Sequence, residues 1–137
     1  MRTTFSYNGL EISMSSRNTG AVSNVFGNKG MRYKYNVTVK TAYGQTNFTF
    51  YDSIRNYSIG ITELDKDSIK NALSCFLSDG MSYDYSYNFI EFCQELGYDT
   101  DSRRAMTVYN ACKRHHLAAV RVFGPEYSEI YNQINEE

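Results

Sequence analysis

The feature that most constrains the fold is a change in the spacing of apolar residues near residue 60. Before it, apolar and polar side chains alternate, which is typical of a β-strand with one buried face. After it, apolar residues recur at spacings of three and four, which indicates amphipathic α-helices. Because 137 residues is one domain's length, we expect a single α+β domain over residues 1–137. Its strand-rich part would be 1–60 and its helical part 61–137.

Two hairpins are predicted in the strand-rich part. Asn8-Gly9 separates alternating stretches at 3–7 and 10–14, and this dipeptide is a strong signal for a two-residue hairpin turn. A second alternation begins at Tyr33, and a turn near Tyr43-Gly44 leads into its partner strand. The sequence therefore predicts an antiparallel sheet of about four strands.

Residues 15–30, between the two hairpins, show no sustained period. They contain three glycines and several Ser and Thr residues, a composition typical of loops. We expect an exposed loop here.

Three to four helices are predicted in residues 61–137. The first carries apolar residues from Ile69 to Leu77, and Gly80 is expected to end it. The later helices are expected at 89–96, 105–123 and 125–134, with Gly97, Gly124 and Pro125 at their boundaries.

The three cysteines, Cys75, Cys93 and Cys112, are odd in number and far apart. This spacing encodes neither a disulfide framework nor a paired-cysteine zinc site. Each falls on the apolar face of a predicted helix, so we expect buried, unreactive thiols. No metal and no cofactor is predicted.

The run Gly-Tyr-Asp-Thr-Asp-Ser-Arg-Arg at 97–104 resembles the start of a calcium loop, but its spacing fails. Counted from Asp99, position 6 is Arg104 where the loop needs Gly, and position 12 is Asn110 where it needs a bidentate Glu. A joint between two helices explains the run better.

In this joint Gly97 would end one helix, and Asp99 or Asp101 would cap the next. Ser102 would lie in the first turn of the new helix. The two arginines at 103–104 are expected to face solvent.

Enzymatic chemistry has little support in the sequence. His115 and His116 are the only histidines, and consecutive helical residues point in different directions. One is expected at the core edge and the other in water. The Gly-rich stretch 27–30 lacks the features of a phosphate-binding loop. We expect a protein that is not an enzyme and has no catalytic residues.

The charge of the chain is split between its two parts. Residues 1–60 carry seven Lys and Arg against two Asp and Glu, a net charge of +5. Residues 61–137 carry seven against thirteen, a net charge of −6. Such asymmetry indicates a charged partner. Candidate nucleic-acid contacts in the basic part are Arg17, Lys29, Arg32, Lys34 and Lys40.

The acidic part offers a second candidate surface. The run 82–87 sets three tyrosines around Asp84, and a turning segment cannot pack all three rings inward, so at least one should be available to a partner. The alternative is a solvated helix start with Asp84 as its cap. The candidate partner-binding residues are Tyr83, Asp84, Tyr85, Tyr87, Tyr98, Asp99, Arg103 and Arg104.

Two stretches, FTFYDSIRNY at 48–57 and FIEFCQELGYDTDSRRAMTVYNAC at 89–112, resemble small, largely uncharacterised proteins encoded by phages and prophages of Gram-positive bacteria. The shared pattern is F-x-x-F-C-x-E-x-G-Y-D-x-D-S-R-x-A, and the resemblance covers about residues 48–123. It implies a phage accessory protein, a class in which inhibitors of host defence, including anti-CRISPR proteins, are common.

The resemblance and the charge split together lead to the hypothesis of an anti-CRISPR protein. It would bind a CRISPR effector nuclease stoichiometrically and block nucleic-acid binding or conformational activation, and contact with nucleic acid through the effector is possible. The alternatives are a small nucleic-acid-binding phage regulator that uses the basic hairpin and a phage structural or assembly protein, and homodimer formation stays open.

The expected location is the cytoplasm of a host bacterium. No apolar run approaches the roughly 20 residues of a membrane span, and the N-terminus lacks the apolar core of a signal peptide. No membrane association is expected.

Overall fold

The computed structural model describes residues 2–23, 31–53 and 63–137, with the backbone alone at 21–23, 31, 32 and 53. An N-terminal antiparallel sheet of four strands precedes four helices, which confirms the predicted α+β class. The chain divides into two compact units, Met1–Leu73 and Ser74–Glu137. The single domain expected from the sequence stays a prediction.

The sheet has the strand order β1-β2-β3-β4, with every neighbouring pair antiparallel. Its strands are β1 (Thr3–Tyr7), β2 (Leu10–Ser23), β3 (Met31–Thr41) and β4 (Gly44–Ser53). At the first turn Asn8 and Gly9 have φ angles of 52° and 73°, the left-handed conformation that a type I′ hairpin requires and that these two residue types tolerate. Both predicted hairpins are confirmed.

One face of the sheet is buried, as the alternation predicts. Val37 lies opposite Phe48, and Phe5 lies opposite Ile12 in the register. The first residues after β4 that the structure describes adjoin this face, because the Leu64 N–H donates to Ser16 Oγ at 2.7 Å. The buried side chains of the four strands are Phe5, Tyr7, Ile12, Met14, Tyr35, Val37, Val39, Thr41 and Phe48.

The prediction of a loop at 15–30 is wrong for residues 15–23, which continue β2 and pair with β3. A register shift between Asn18 and Gly20 accommodates the irregular sequence. There the Gly20 N–H donates to Asn18 Oδ1, and Gly20 has a φ of 142° that favours glycine. Pairing with β3 thus overrides the weak local pattern. Residues 24–30 lie outside the described part of the chain.

The four helices are α1 (Lys66–Asp84), α2 (Phe89–Leu96), α3 (Arg103–Phe123) and α4 (Tyr127–Glu136). Gly80 does not end α1, contrary to the sequence prediction, because its role is close packing. A Cβ atom there would lie 3.0 Å from the Tyr127 hydroxyl oxygen and 3.1 Å from His116 Cα. The missing side chain lets α1 approach the other helices of the Ser74–Glu137 unit.

The start and end of α2 follow ordinary capping rules. Asn88 is the N-cap, and its Oδ1 accepts the Glu91 N–H at 2.9 Å. Asp84, weighed as a cap from the sequence, instead lies in the last turn of α1. Gly97 ends α2 with a φ of 75°, as predicted.

The segment between α2 and α3 is a joint, but its cap differs from the prediction. Ser102 caps α3, with its hydroxyl oxygen accepting the Ala105 N–H at 3.2 Å. Asp99 instead accepts the Asp101 N–H at 3.1 Å inside the joint. The prediction that Asp99 or Asp101 caps α3 is therefore wrong, since both precede the N-cap position.

Aromatic rings form much of the core of the Ser74–Glu137 unit. The Tyr109 ring of α3 lies 5.0 Å from that of Phe92 and 5.1 Å from that of Phe89, and Tyr83 of α1 lies 5.4 Å away. Other buried residues come from all four helices: Phe76, Leu77, Cys93, Ala105, Cys112, Ala119, Val122, Phe123, Tyr127, Ile130 and Ile134.

Candidate interaction surface

The second half of α1, α2 and the joint form an acidic stretch. Between residues 74 and 102 the sequence contains no Lys, Arg or His. Its carboxylates are Asp79, Asp84, Glu91, Glu95, Asp99 and Asp101. A surface built from this stretch carries negative charge, and no Lys, Arg or His of the stretch neutralises it. Such a surface favours a positively charged partner.

The three tyrosines of the run 82–87 have different surroundings. Tyr83 packs inward, with its ring 5.4 Å from those of both Tyr109 and His116. Tyr85 is 61% exposed and Tyr87 is 89% exposed, because both follow the last residue of α1. Two of the three rings are therefore exposed, and their availability to a partner stays a prediction.

Two apolar side chains of α2 are also exposed. Leu96, expected on the apolar face, is 47% exposed, and Ile90, which sequence reasoning missed, is 57% exposed. We define the acidic aromatic surface as the exposed acidic, tyrosine and aliphatic residues at the end of α1, in the following turn and in α2, namely Asp84, Tyr85, Tyr87, Ile90, Glu95 and Leu96. Large exposed apolar side chains beside carboxylates are typical of protein interaction sites.

A cleft of about 250 Å³ opens within this surface. Three helices and the turn after α1 line it: Ser78, Met81, Ser82 and Tyr85 come from α1 and its end, Glu95 and Leu96 from α2, and Tyr131 from α4. The Glu95 carboxylate lines the cleft, and the Ser86 hydroxyl lies 3.4 Å from its Oε2. Sequence reasoning missed this cleft because its residues share no local pattern.

The two histidines connect α3 to acidic residues of α1. His115 Nδ1 lies 3.2 Å from Asp79 Oδ2. His116 Nδ1 lies 2.9 Å from the Tyr127 hydroxyl, and its Nε2 lies 3.8 Å from Asp84 Oδ1. Both rings are half-buried, so the prediction that one lies in water is wrong. Each ring serves a contact between helices.

Burial raises the pKa of Tyr127 well above its ordinary value, and the nearby Asp84 carboxylate raises this pKa further. Tyr127 therefore keeps its proton at neutral pH. Its hydroxyl can donate a hydrogen bond to His116 in the neutral form of the imidazole.

The three thiols hold their protons at neutral pH. Desolvation raises the pKa of Cys75, Cys93 and Cys112, and for Cys112 the value reaches about 11. Such thiols are poor nucleophiles because the reactive form is the thiolate. Cys93 and Cys112 are buried as expected, whereas Cys75 is exposed, contrary to the prediction.

The candidate residues of the joint are not among those that define the acidic aromatic surface. Tyr98 is half-buried, while Asp99, Arg103 and Arg104 are exposed, as expected for the arginines. In the part of the chain that the structure describes, none of the four makes a hydrogen bond or ion pair with the acidic aromatic surface. The structure therefore divides the sequence-predicted set into two groups.

The candidate nucleic-acid contacts whose side chains the structure describes lie on the outer face of the sheet. Arg17, Lys34 and Lys40 are exposed, and Arg17 pairs across the strands with Asn36. We call this the basic sheet face, defined by Arg17, Lys34, Asn36, Thr38, Lys40, Asn47, Thr49 and Tyr51. Arg32 belongs to β3 by its backbone alone, and Lys29 lies outside the described residues.

The described residues contain no group of three His, Cys, Asp or Glu arranged to hold a metal ion. Among the helices described above, none combines the length and apolar character that crossing a membrane requires.

The molecule is thus an α+β protein with a basic sheet face and an acidic aromatic surface. Comparisons of the chain with protein-family models, curated proteins and solved structures gave no match. The two surfaces are therefore the basis for a functional proposal.

Proposed function

We propose that the protein acts by stoichiometric binding to a protein partner through the acidic aromatic surface. The observation that carries the proposal is the pair of exposed rings, Tyr85 and Tyr87, in a stretch with six carboxylates and no cation. Tyr offers a large apolar area and a polar tip at low entropic cost, which makes it common among energetically dominant interface residues.

The net charge of the Ser74–Glu137 unit supports a basic partner. Residues 74–137 carry ten Asp and Glu against five Lys and Arg, a net charge of −5. Carboxylates on such a surface can occupy positions where a basic groove would hold phosphates. The partner's site would be a nucleic-acid-binding groove, and occupation of that groove would block the nucleic acid.

The choice of partner rests on the sequence resemblance to phage accessory proteins. Within that class the proposed partner is a bacterial defence nuclease, with a CRISPR effector as the first candidate. Binding would occur in the cytoplasm of the host and would consume no cofactor. The inhibitor would act without a catalytic step, so complete inhibition needs about one molecule for each effector.

An affinity capture experiment tests the proposal. The tagged protein is incubated with nuclease-treated lysate from a Gram-positive bacterium that expresses a CRISPR effector, and bound proteins are quantified by mass spectrometry. We expect recovery of the effector to survive nuclease treatment and to fall at least tenfold for the double variant Tyr85→Ala, Tyr87→Ala.

Tyr43→Ala is the matched control, because Tyr43 is 68% exposed and lies in the turn between β3 and β4, within the other unit. This variant should capture the effector as well as the wild type. Absence of any defence nuclease, or equal capture by the double variant, contradicts the proposal.

A second candidate function is direct nucleic-acid binding by the basic sheet face. The observation in its favour is the exposure of Arg17, Lys34 and Lys40 on one polar face together with the Tyr51 ring. Cations beside aromatic rings are a common arrangement for binding single strands. Salt-dependent binding of a labelled oligonucleotide by the purified protein would support this alternative.

A further inference from the structure

We propose that the cleft between α1, α2 and α4 is a binding pocket for an arginine side chain of the partner protein. The inference deepens the proposed function and rests on it for the source of the arginine. It assigns the cleft a specific occupant, whereas the acidic aromatic surface as a whole requires only a basic partner.

The walls of the cleft suit the long, partly apolar stem of arginine. Met81 and Leu96 provide apolar surface, and Tyr85 and Tyr131 also line the space. A guanidinium group stacks on aromatic faces, and its weak hydration reduces the cost of leaving water. The methylene groups of the side chain can pack against the apolar walls.

Glu95 supplies the charge that selects a cation. Its carboxylate lines the cleft and is exposed. Within the described residues its polar contact is the Ser86 hydroxyl at 3.4 Å, which is long for a hydrogen bond between oxygens. The carboxylate therefore retains acceptor capacity for a bidentate pair with a guanidinium group.

The hydroxyls of Ser82 and Ser86 make their shorter contacts with backbone carbonyls rather than with the carboxylate. Ser82 donates its hydroxyl proton to Ser78 O at 3.1 Å, and Ser86 makes its shorter contact, 2.8 Å, with Ser82 O. These bonds to backbone carbonyls use the hydroxyl donors of Ser82 and Ser86. The strongest donor that Glu95 can gain is therefore one from a partner.

Arginine fits this combination better than lysine. A planar guanidinium can stack on a tyrosine ring and present two parallel N–H groups to a carboxylate at the same time. An ammonium group is a compact, strongly hydrated point charge without a plane to stack. A neutral apolar residue would leave Glu95 without its partner.

The test is a titration of the isotope-labelled full chain with short peptides, followed by NMR chemical shifts. The probes are the capped peptide Gly-Gly-Arg-Gly-Gly and versions with lysine, citrulline or norleucine at the central position. We expect the arginine peptide to shift the signals of Met81, Leu96 and Tyr131, with at least threefold weaker binding of lysine and about tenfold weaker binding of citrulline.

Glu95→Gln keeps the shape of the side chain and removes its charge. It should weaken the arginine peptide about three- to fivefold, as expected for an exposed ion pair. The matched control is Glu129→Gln, the same charge change at an exposed position of α4 that does not line the cleft. The control should bind as the wild type does.

Equal binding of arginine, citrulline and norleucine, or shifts confined to residues away from the cleft, would overturn the arginine assignment. The result is separable from that of the capture experiment. Selective arginine binding without capture of any nuclease would refute the proposed function but support the assignment of the cleft as an arginine pocket. Capture that depends on Tyr85 and Tyr87 with no selectivity among the peptides would refute the pocket alone.

Discussion

The basic sheet face and the acidic aromatic surface both expose tyrosine but offer it to a partner in different ways. On the sheet, Tyr51 follows polar residues at every second position of β4, and the cations lie on β2 and β3. At the end of α1, Tyr85 borders a cleft beside carboxylates. A pleated strand presents its residues in a regular row, whereas three converging helices create depth.

This difference separates two kinds of recognition. A row of cations and polar groups can contact phosphates without selecting one side chain of a protein. A cleft with a single carboxylate can select a particular cationic side chain. We therefore assign partner selection to the acidic aromatic surface, and the predictions below test this assignment.

The largest effect is expected from overpacking the contact that supports the acidic aromatic surface. Gly80→Leu places a side chain where a Cβ alone would lie within 3.2 Å of the His116 backbone. We expect a loss of about 2–3 kcal/mol in the free energy of unfolding. Urea denaturation monitored by circular dichroism measures it.

Asn132→Leu is the control, since Asn132 is exposed on α4, and it should change stability by less than about 0.5 kcal/mol. Unchanged stability of Gly80→Leu would show that α1 can move away from His116. The close approach would then have no role in holding the surface together.

Alkaline pH should destabilise the Ser74–Glu137 unit through Cys112. The pKa of this thiol is about 11 in the folded chain and 9.0 when unperturbed. Because the folded-state pKa is raised, the unfolded state loses the proton first as the pH rises. The stability contribution is complete below pH 9 and is lost progressively between pH 9 and 11. We expect a loss of about 1–2 kcal/mol across this interval.

The measurement is urea denaturation at pH 8, 9 and 10 for the wild type and for Cys112→Ala. The variant should show a smaller decline over this range, since it lacks the thiol. All three cysteines lie in the Ser74–Glu137 unit, so the difference reports on that unit. Parallel declines in the two proteins would contradict the role assigned to Cys112.

Neutralising the cations of the basic sheet face tests the role of that face independently of the acidic aromatic surface. If the second candidate function holds, the triple variant Arg17→Gln, Lys34→Gln, Lys40→Gln removes most binding to single-stranded DNA. With three contributing cations, the slope of log affinity against log salt should be about −2 in the wild type and near zero in the variant. Fluorescence polarisation between 50 and 200 mM salt measures both slopes.

The same triple variant should capture the protein partner as well as the wild type does. Loss of partner capture with these substitutions would show that the basic sheet face contributes to partner binding. The assignment of selection to the acidic aromatic surface would then be wrong.

The smallest effect is expected at the joint between α2 and α3. Ser102→Ala should cost about 1 kcal/mol, because it removes the acceptor of the Ala105 N–H. Asp101→Ala should cost less than about 0.5 kcal/mol, since Asp101 is exposed and does not cap α3. Chemical denaturation of the two variants shows which residue caps α3. A larger loss of stability for Asp101→Ala would contradict the assignment of Ser102 as the cap.

The fold class follows from the sequence because the spacing of apolar residues reports directly on which face of an element is buried. Asn8-Gly9 predicted the first hairpin through the conformation that the turn requires. Gly97 predicted the end of α2 for the same reason. Such features depend on a few neighbouring residues, so the sequence contains the information that determines them.

The failures at Gly80, in the second half of β2 and at the cleft have a common physical origin in tertiary contacts. Gly80 has the residue type of a helix stop, and only the approach of His116 and Tyr127 explains why α1 continues through it. The second half of β2 is a strand because β3 pairs with it. The cleft brings Met81 near Tyr131, residues that no local period relates.

A nuclease inhibition titration tests the central assignment most directly. A purified CRISPR effector with its guide RNA cleaves a labelled DNA in the presence of increasing amounts of the wild type, the double variant Tyr85→Ala, Tyr87→Ala or the triple variant of the basic sheet face. We predict that cleavage stops at about one molecule per effector for the wild type and the triple variant. The double variant should require at least tenfold more protein. Full inhibition by the double variant with loss of inhibition by the triple variant would contradict the account.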